Sequence, residues 1–241
     1  MTGTLIDITA IALAGALFRA GVPTPSGPQA ASLRWPLAGA TLAVGVSILY
    51  GHLQAMPLAQ GIRWLGLVAV SLMAGHLTGR GLGLQRRLGA WGGTLAGRIP
   101  RISPATGLPE GSWATLGILL ALNPLTIPGA LADGLQPMPW ALAIKAVLDV
   151  VAVAAYGPRA PAGGILALIG VQAAWQGLWT ALAFGLRSMP LPSGSVEALA
   201  GETGLLIVCT VPAVAGIRKA NLADLLPSLV WAPVLAGLWT K

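Results

Sequence analysis

Charge is what this sequence lacks. Only 9% of its 241 residues are Asp, Glu, Lys or Arg, against 55% hydrophobic, and the mean hydropathy is +0.78. A soluble globular domain carries roughly 25% charged residues. Too few remain here to clothe a surface in water, so the apolar surplus must face lipid. The single cysteine, Cys209, excludes an intrachain disulfide and a cysteine-based metal cage. Two histidines beside it are too few for a typical catalytic metal site. No GxSxG, HExxH or Walker loop occurs, so neither an enzyme, a metal nor a cofactor is expected. The net charge of +7 does not point to nucleic acid, because the arginines are scattered and no basic patch is interleaved with aromatics.

What is there is a series of long apolar runs. Crossing a bilayer takes about 20 apolar residues. Eight segments come near that: 4–20, 33–53, 62–78, 112–134, 138–157, 162–186, 199–217 and 222–239. No Lys or Arg precedes the first, which therefore lacks the basic start of a signal peptide and reads as a retained span. Proline- and glycine-rich connections ("GVPTPSGP", "RIPRISPATGLPEG", "SMPLPSGS") separate the runs, and none is long enough for a second domain. The expected fold is all-α: a single transmembrane helix bundle over 1–241 with about eight spans, in contact with the lipid bilayer.

Basic residues orient such a bundle, because Lys and Arg collect on the cytoplasmic side. With the Arg-rich connection before the fourth span placed inside, Arg19, Arg34, Arg80, Arg86, Arg87, Arg98, Arg101, Arg159, Arg218 and Lys219 all become cytoplasmic. Arg63, Arg187 and Lys241 fall outside, and Lys145 falls within a span. That bias supports eight crossings with both termini outside. Within the same connection, Leu84, Leu88, Trp91, Leu95 and Ile99 recur at helical spacing with Arg86, Arg87 and Arg98 off the stripe. The expectation over 84–99 is an interfacial amphipathic helix, either on the cytoplasmic leaflet or packed under the bundle. Glycines at 75, 79 and 83, and at 89, 93 and 97, run four apart. Such spacing lets helix backbones approach closely, within one chain or across a homo-oligomer contact. Trp35, Trp64, Trp113, Trp140 and Trp239 near span ends read as interfacial anchors.

Against that apolar ground a few polar residues stand out. The fourth span contains "LLALNPLTIPGALADGL", in which Pro124 and Pro128 each remove a backbone donor and displace the carbonyl four residues back. Hydrocarbon tolerates freed carbonyls only where they face protein, water or a ligand. With Asn123 and Gly129 alongside, a discontinuous fourth span is expected, its carbonyls of Leu120 and Pro124 available to a cation or a donor-bearing solute. A packing kink is the plainer reading. In the fifth span Lys145 and Asp149 are four apart, on one face and within pairing reach. A charge at a helix centre costs about 2.5–3.5 kcal/mol on insertion scales, so the pair faces the bundle interior. Asp133, across the short turn "GLQPMP", is expected to converge with Asn123, Lys145 and Asp149. The alternative is a buried salt bridge that only fixes register. Gln172 and Gln176 are four apart beside Trp175 and Trp179, and line a path or bond between helices. Glu202, Glu197 and Asp7 lie shallow in their spans, where contact with interfacial water is the default. His76 could carry a proton, since histidine ordinarily titrates near neutral pH, or serve as a packing residue.

"AGATLAVGVSILYG" (38–51) and "AGETGLLIVCTVPAVAG" (200–216) echo one another and cross in opposite senses. Spans 1–3 and 6–8 would then form an inverted repeat, an arrangement found in transporters.

These residues resemble a known family. "GTLIDITAIALAGAL", "NPLTIPGALADGL" followed by "IKAVLD", and "GETGLLIV" with "IRKANLADLLPSLVWAPVL" are similar to the opening, central and closing signatures of the YqgA/YdfK-like bacterial inner-membrane proteins, domain of unknown function 554. Asp133, Gly134, Lys145 and Asp149 match family positions. A second Gly-Asp after Asp-Gly is replaced around "QPMP", and a Gly after Leu-Asp is Val150. The resemblance implies a membrane protein of the kind usually called a possible transporter. The functional expectation is a secondary transporter or permease moving a small charged or zwitterionic solute, or an ion, by alternating access. Its site would be formed by Asn123, Pro124, Pro128, Gly129, Asp133, Lys145, Asp149, Gln172, Gln176 and Glu202. The alternatives are an oligomeric ion channel with the broken span lining the pore, and a membrane scaffold that transports nothing.

Overall fold

The computed structural model describes residues 1–23, 27–54, 56–87, 90, 120–121, 123, 125–136, 138–156, 162–189, 194–217 and 222–239. Most of the segment expected as the amphipathic helix, with Pro124, Gly89, Gly93, Gly97 and Trp113, lies outside these residues. All regular structure among them is helical: α1 (Thr2–Arg19), the short α2 (Gly27–Ser32), α3 (Arg34–Leu53), α4 (Leu58–Leu82), α5 (Thr126–Leu135), α6 (Trp140–Tyr156), α7 (Ala162–Ser188), α8 (Ser195–Val214) and α9 (Ser228–Trp239). A 3-10 turn, Leu222–Leu225, precedes α9.

Among the described residues, five helices are long and apolar enough to cross a membrane: Thr2–Arg19, Arg34–Leu53, Leu58–Leu82, Gly164–Ser188 and Ser195–Val214. Lipid forces this choice, because a helix satisfies its own backbone polar groups where no water can. Burial is inverted relative to a soluble protein. Leu58 is 81% exposed and Leu77 69%, whereas Lys145, Asp7 and Asp149 are each 0% exposed.

Contacts between helices set their directions. Gly3 lies against Leu142 and Asp7 against Lys145, so α1 and α6 run parallel. Thr4 meets Thr180 and Asp7 meets Gln176, so α7 runs antiparallel to α1. Gly45 abuts Val208, and Ile48 abuts Gly204, which makes α3 and α8 antiparallel. Helix α8 is 56% buried over its apolar window against 28% for α3, and so lies nearer the centre of the bundle.

Local chemistry fixes the helix ends. α4 begins after Pro57 and stops where Gly83 turns left-handed at φ 60° and its N–H donates to the Arg80 carbonyl at 3.1 Å. Pro128 of the fourth segment acts differently from expectation. Pro128 is the third residue of α5. That first turn has no intrahelical use for its N–H, so the ring starts a helix and does not interrupt one. Nor is the Leu120 carbonyl free. It accepts from the Asn123 N–H and from the Thr126 hydroxyl, both at 3.2 Å. Asn123 uses its own side chain to accept from the Leu125 N–H at 3.1 Å, a side-chain turn that leads into the helix.

Small residues set the packing. Gly75 and Gly79 of α4 lie directly against Ser228 and the backbone of Asp224, so this stripe seats the 3-10 turn and α9 of the same chain. Gly201 similarly receives the Trp64 indole. Trp64 is therefore no interfacial anchor. It is buried and stacked at 5.5 Å on His52, whereas Trp35, Trp140 and Trp239 are exposed as anchors would be. Gly75→Val places methyl groups where Ser228 already stands and should cost about 1–3 kcal/mol. Gly66→Ala, on the same helix with nothing within 4 Å, should gain about 0.5–1 kcal/mol. Thermal unfolding in detergent checks both, and equal effects would show that α9 does not rest on this stripe.

Candidate functional site

Three helices each bring a polar side chain to one place. On α1 the buried face runs through Thr4, Asp7, Ile11 and Ala14, spacings of three and four that keep Asp7 pointing inward. On α6, Lys145 and Asp149 share a face one turn apart. On α7, Gln172, Gln176 and Thr180 form a polar stripe at intervals of four, and all three are 0% exposed.

The Lys145 ammonium is the hub. Its Nζ donates to Asp7 Oδ2 at 2.8 Å, to Asp149 Oδ2, and to Gln172 Oε1 at 3.4 Å. An ammonium has three protons, and all three are used. Gln176 Nε2 donates to Asp7 Oδ2 and to Gln172 Oε1, the latter at 3.0 Å. Two carboxylates face one cation, so the cluster is formally one negative charge in excess when every group is ionised. Four of its buried atoms have no hydrogen-bond partner among the described residues: Asp7 Oδ1, Asp149 Oδ1, Gln172 Nε2 and Gln176 Oε1. The arrangement thus offers acceptors and a donor side by side, around a charged pair, inside an apolar bundle.

The remaining expected residues go elsewhere. Asp133 lies about a turn away and binds the N-terminus of α1, accepting from the Gly3 N–H at 3.1 Å and pairing with the Met1 amine at 3.0 Å. Asn123 is spent on its turn. Gly129 packs against Leu142 and Ala141, which brings α5 onto α6 without adding a polar group to the cluster. Glu202 is fully buried and bonds Ser71 of α4, on the other side of α5 from Lys145. It does not touch interfacial water, and neither does Asp7. Sequence reasoning left Asp7 out of the site because it lies so near the start of its helix. The inward spacing with Thr4 and Ile11 was the signal available. Among the described residues, no group of three or more His, Cys, Asp and Glu side chains could hold a metal ion.

Over residues 2–237 the sequence matches the model of a family described as a protein of unknown function, DUF554. The chain belongs to DUF554. No curated protein and no solved structure matches it. Asp133, Lys145 and Asp149 of this DUF554 chain have distinct partners: one clamps a helix end, while the other two build the charged cluster with Asp7.

Removing the hub isolates two buried carboxylates. Lys145→Met should cost about 3–5 kcal/mol. The charge-free Asp7→Asn/Lys145→Met/Asp149→Asn triple should match or exceed the parent, since a buried ion network is often no more stable than an uncharged replacement. Cys209, the one thiol, can report unfolding in detergent through its reaction with a maleimide dye. A single Lys145→Met variant as stable as the parent would show that the ammonium is not the tie.

Proposed function

We propose that this DUF554 protein is a permease for a small charged or zwitterionic solute, or an ion, working by alternating access, with Asp7, Lys145, Asp149, Gln172 and Gln176 as its site. The observation that carries the reading is the set of four unpartnered buried polar atoms around a charge-imbalanced pair. Buried ionisable groups within membrane spans are costly and mark solute or ion pathways. A zwitterion has complementary groups: its ammonium suits Asp7 Oδ1 and Asp149 Oδ1, and its carboxylate suits the Gln172 amide. A monovalent cation would meet the excess negative charge by itself.

Eight crossings, a discontinuous fourth span and termini outside belong to the same reading. The parallel pairing of α1 with α6, and the antiparallel pairings of α1 with α7 and α3 with α8, agree with alternating crossings. The inverted repeat draws support from matched detail. Thr41 of "AGAT" and Thr203 of "AGET" are both buried and both donate to the carbonyl four residues back, at 2.7 and 2.8 Å. Inverted repeats place a site where the two halves meet. The short α5, beginning after the Asn123 turn, supplies an element whose movement would be passed to the helices packed on it.

Two experiments test the reading. In proteoliposomes, counterflow of labelled amino acids or alkali cations should be saturable and should respond to an imposed proton gradient. The charge-free triple variant, if folded, should lose it. Ohmic currents would replace the permease with a pore. Absence of flux for every solute, with the triple indistinguishable from the parent, would leave a structural bundle. Separately, a reporter active only outside the cytoplasm should be active when fused after Lys241, and inactivity would overturn the eight-span topology.

A further inference from the structure

A second polar centre lies apart from the Lys145 cluster, between α4, α8 and α9. Glu202 of α8 is 0% exposed, as are Ser71 of α4 and Ser228 of α9. Glu202 Oε2 bonds the Ser71 hydroxyl, and that hydroxyl also lies 2.8 Å from the Val68 carbonyl, to which it donates. Ser228 faces the same carboxyl group from the first residue of α9. Glu202 Oε1 and Ser228 Oγ have no hydrogen-bond partner among the described residues.

Proton counting separates the two states of this carboxyl group. A serine hydroxyl has one hydrogen. If Ser71 gives it to Val68, an ionised Glu202 meets the Ser71 oxygen with no proton between them. If Ser71 gives it to Glu202, the Val68 carbonyl faces a bare oxygen at 2.8 Å. Both contacts are made as full two-centre bonds only when Glu202 brings a hydrogen of its own, donating to Ser71 while Ser71 donates to Val68.

No cation replaces that proton. Among the described residues no Lys, Arg or His nitrogen lies within ion-pair distance of Glu202. The titratable groups on the surrounding elements are engaged elsewhere or stand more than a turn away along their helices. His52 of α3 bonds Ile48 and Gln136 and stacks on Trp64. Asp224 of the 3-10 turn accepts from the Gln85 N–H at 3.0 Å, and Asp133 of α5 holds the start of α1. His76 of α4 lies five residues beyond Ser71, and Cys209 seven residues beyond Glu202 on its own helix. Arg63 and Glu197 line the mouth of a nearby cavity.

That cavity supplies a route. It has a volume of about 800 Å³ and is lined by the first turns of α4 and α8 and the end of α9, with Trp64, Leu67 and Ala198 deepest along their helices. Leu67 and Ala198 each lie four residues before the bonded pair, Ser71 and Glu202. One helical turn, about 6 Å, therefore separates the cavity from the carboxyl group on both walls.

We propose that Glu202 is a proton-binding site, buried without a counter-charge, donating to Ser71 as a carboxylic acid and reached from the cavity between α4, α8 and α9. On binding, the carboxylate oxygen takes one proton and becomes the donor to Ser71 Oγ; on release that proton leaves toward the cavity and the bond to Ser71 reverses or breaks. The inference stands on residues outside the proposed solute site and does not require that a solute move. In a permease such a site supplies the coupling ion.

Infrared spectroscopy of the full chain in lipid nanodiscs reads the carboxyl group directly. At neutral pH the parent should show a protonated-carboxyl stretch that Glu202→Gln removes and that Ser71→Ala shifts in frequency. Glu202→Gln keeps a donor for Ser71 and should fold, and Ser71→Ala provides an independent reading if it does not. A band unchanged by Glu202→Gln, or absent at every pH at which the protein is folded, would overturn the proposal. Conversion of the band to carboxylate on adding sodium chloride at constant pH would also overturn it, assigning the site to an alkali cation.

Discussion

One ammonium group holds the first half of the core in register. Lys145 spends all three of its protons on acceptors from α1, α6 and α7, and no water is needed to complete its shell. In hydrocarbon that completeness decides whether the charge can be there at all, since an ion removed from water must recover several kcal/mol from its neighbours. The tie also dictates geometry. Asp7 can reach Lys145 only if α1 runs beside α6 with its start at the level of Leu142, and Gln176 can reach Asp7 only if α7 passes antiparallel. Apolar packing then follows: Ile11, Ala14 and Phe18 close on Val153, Ala154 and Leu168 beneath the polar layer.

The second half is organised by close approach of backbones. Gly45 against Gly204, Gly201 under Trp64, and Gly75 and Gly79 under α9 and the preceding turn remove the side chains that would hold helices apart. Lipid supplies little hydrophobic drive for helix association, so contact area gained through glycine does much of the work. Close approach is also what seals Glu202 away from water. Widening the α4–α9 seam by one methyl group would separate Ser228 from the carboxyl group it faces.

The sequence made some of this legible and hid the rest for identifiable reasons. Scarce charge and long apolar runs announced helices in lipid, and the four-residue spacing of Lys145 and Asp149 announced an inward pair. The glycine stripe at 75 and 79 was readable as tight packing, though its partner segment was not. Asp7 escaped because depth within a helix was judged from distance to its end, whereas inward direction is what buries a side chain. Pro128, read as interrupting a helix from within, misled for a similar reason. Proline costs a helix only in its interior, and where Thr126 starts a new helix the missing N–H matters to nothing. Thr126 also feeds the Leu120 carbonyl, a long-range consequence of the turn that composition alone does not reveal. Tertiary meetings such as Asp133 with Gly3, 130 positions apart, have no local signature.

Between the two halves stands α5. Every one of its residues from Thr126 to Leu135 is buried, so it belongs to neither lipid surface. Gly129 lies against Leu142 of α6, and Gly134 lies against the Thr180 carbonyl of α7, which places two of the three helices of the Lys145 cluster on one flank. On the other flank Ile127, Leu131 and Leu135 pack with Leu199 and Ala200 of α8, adjacent to Glu202. Packed interiors transmit displacement because they have no slack volume to absorb it. A shift of α5 therefore cannot alter the groove holding Gly134 without also pressing on α8 beside Glu202. This helix is entered through a side-chain turn at Asn123 and left through Asp133, which is clamped to the first residues of α1. The two buried polar centres share no atom, and the ten residues of α5 are the contiguous packing that joins them.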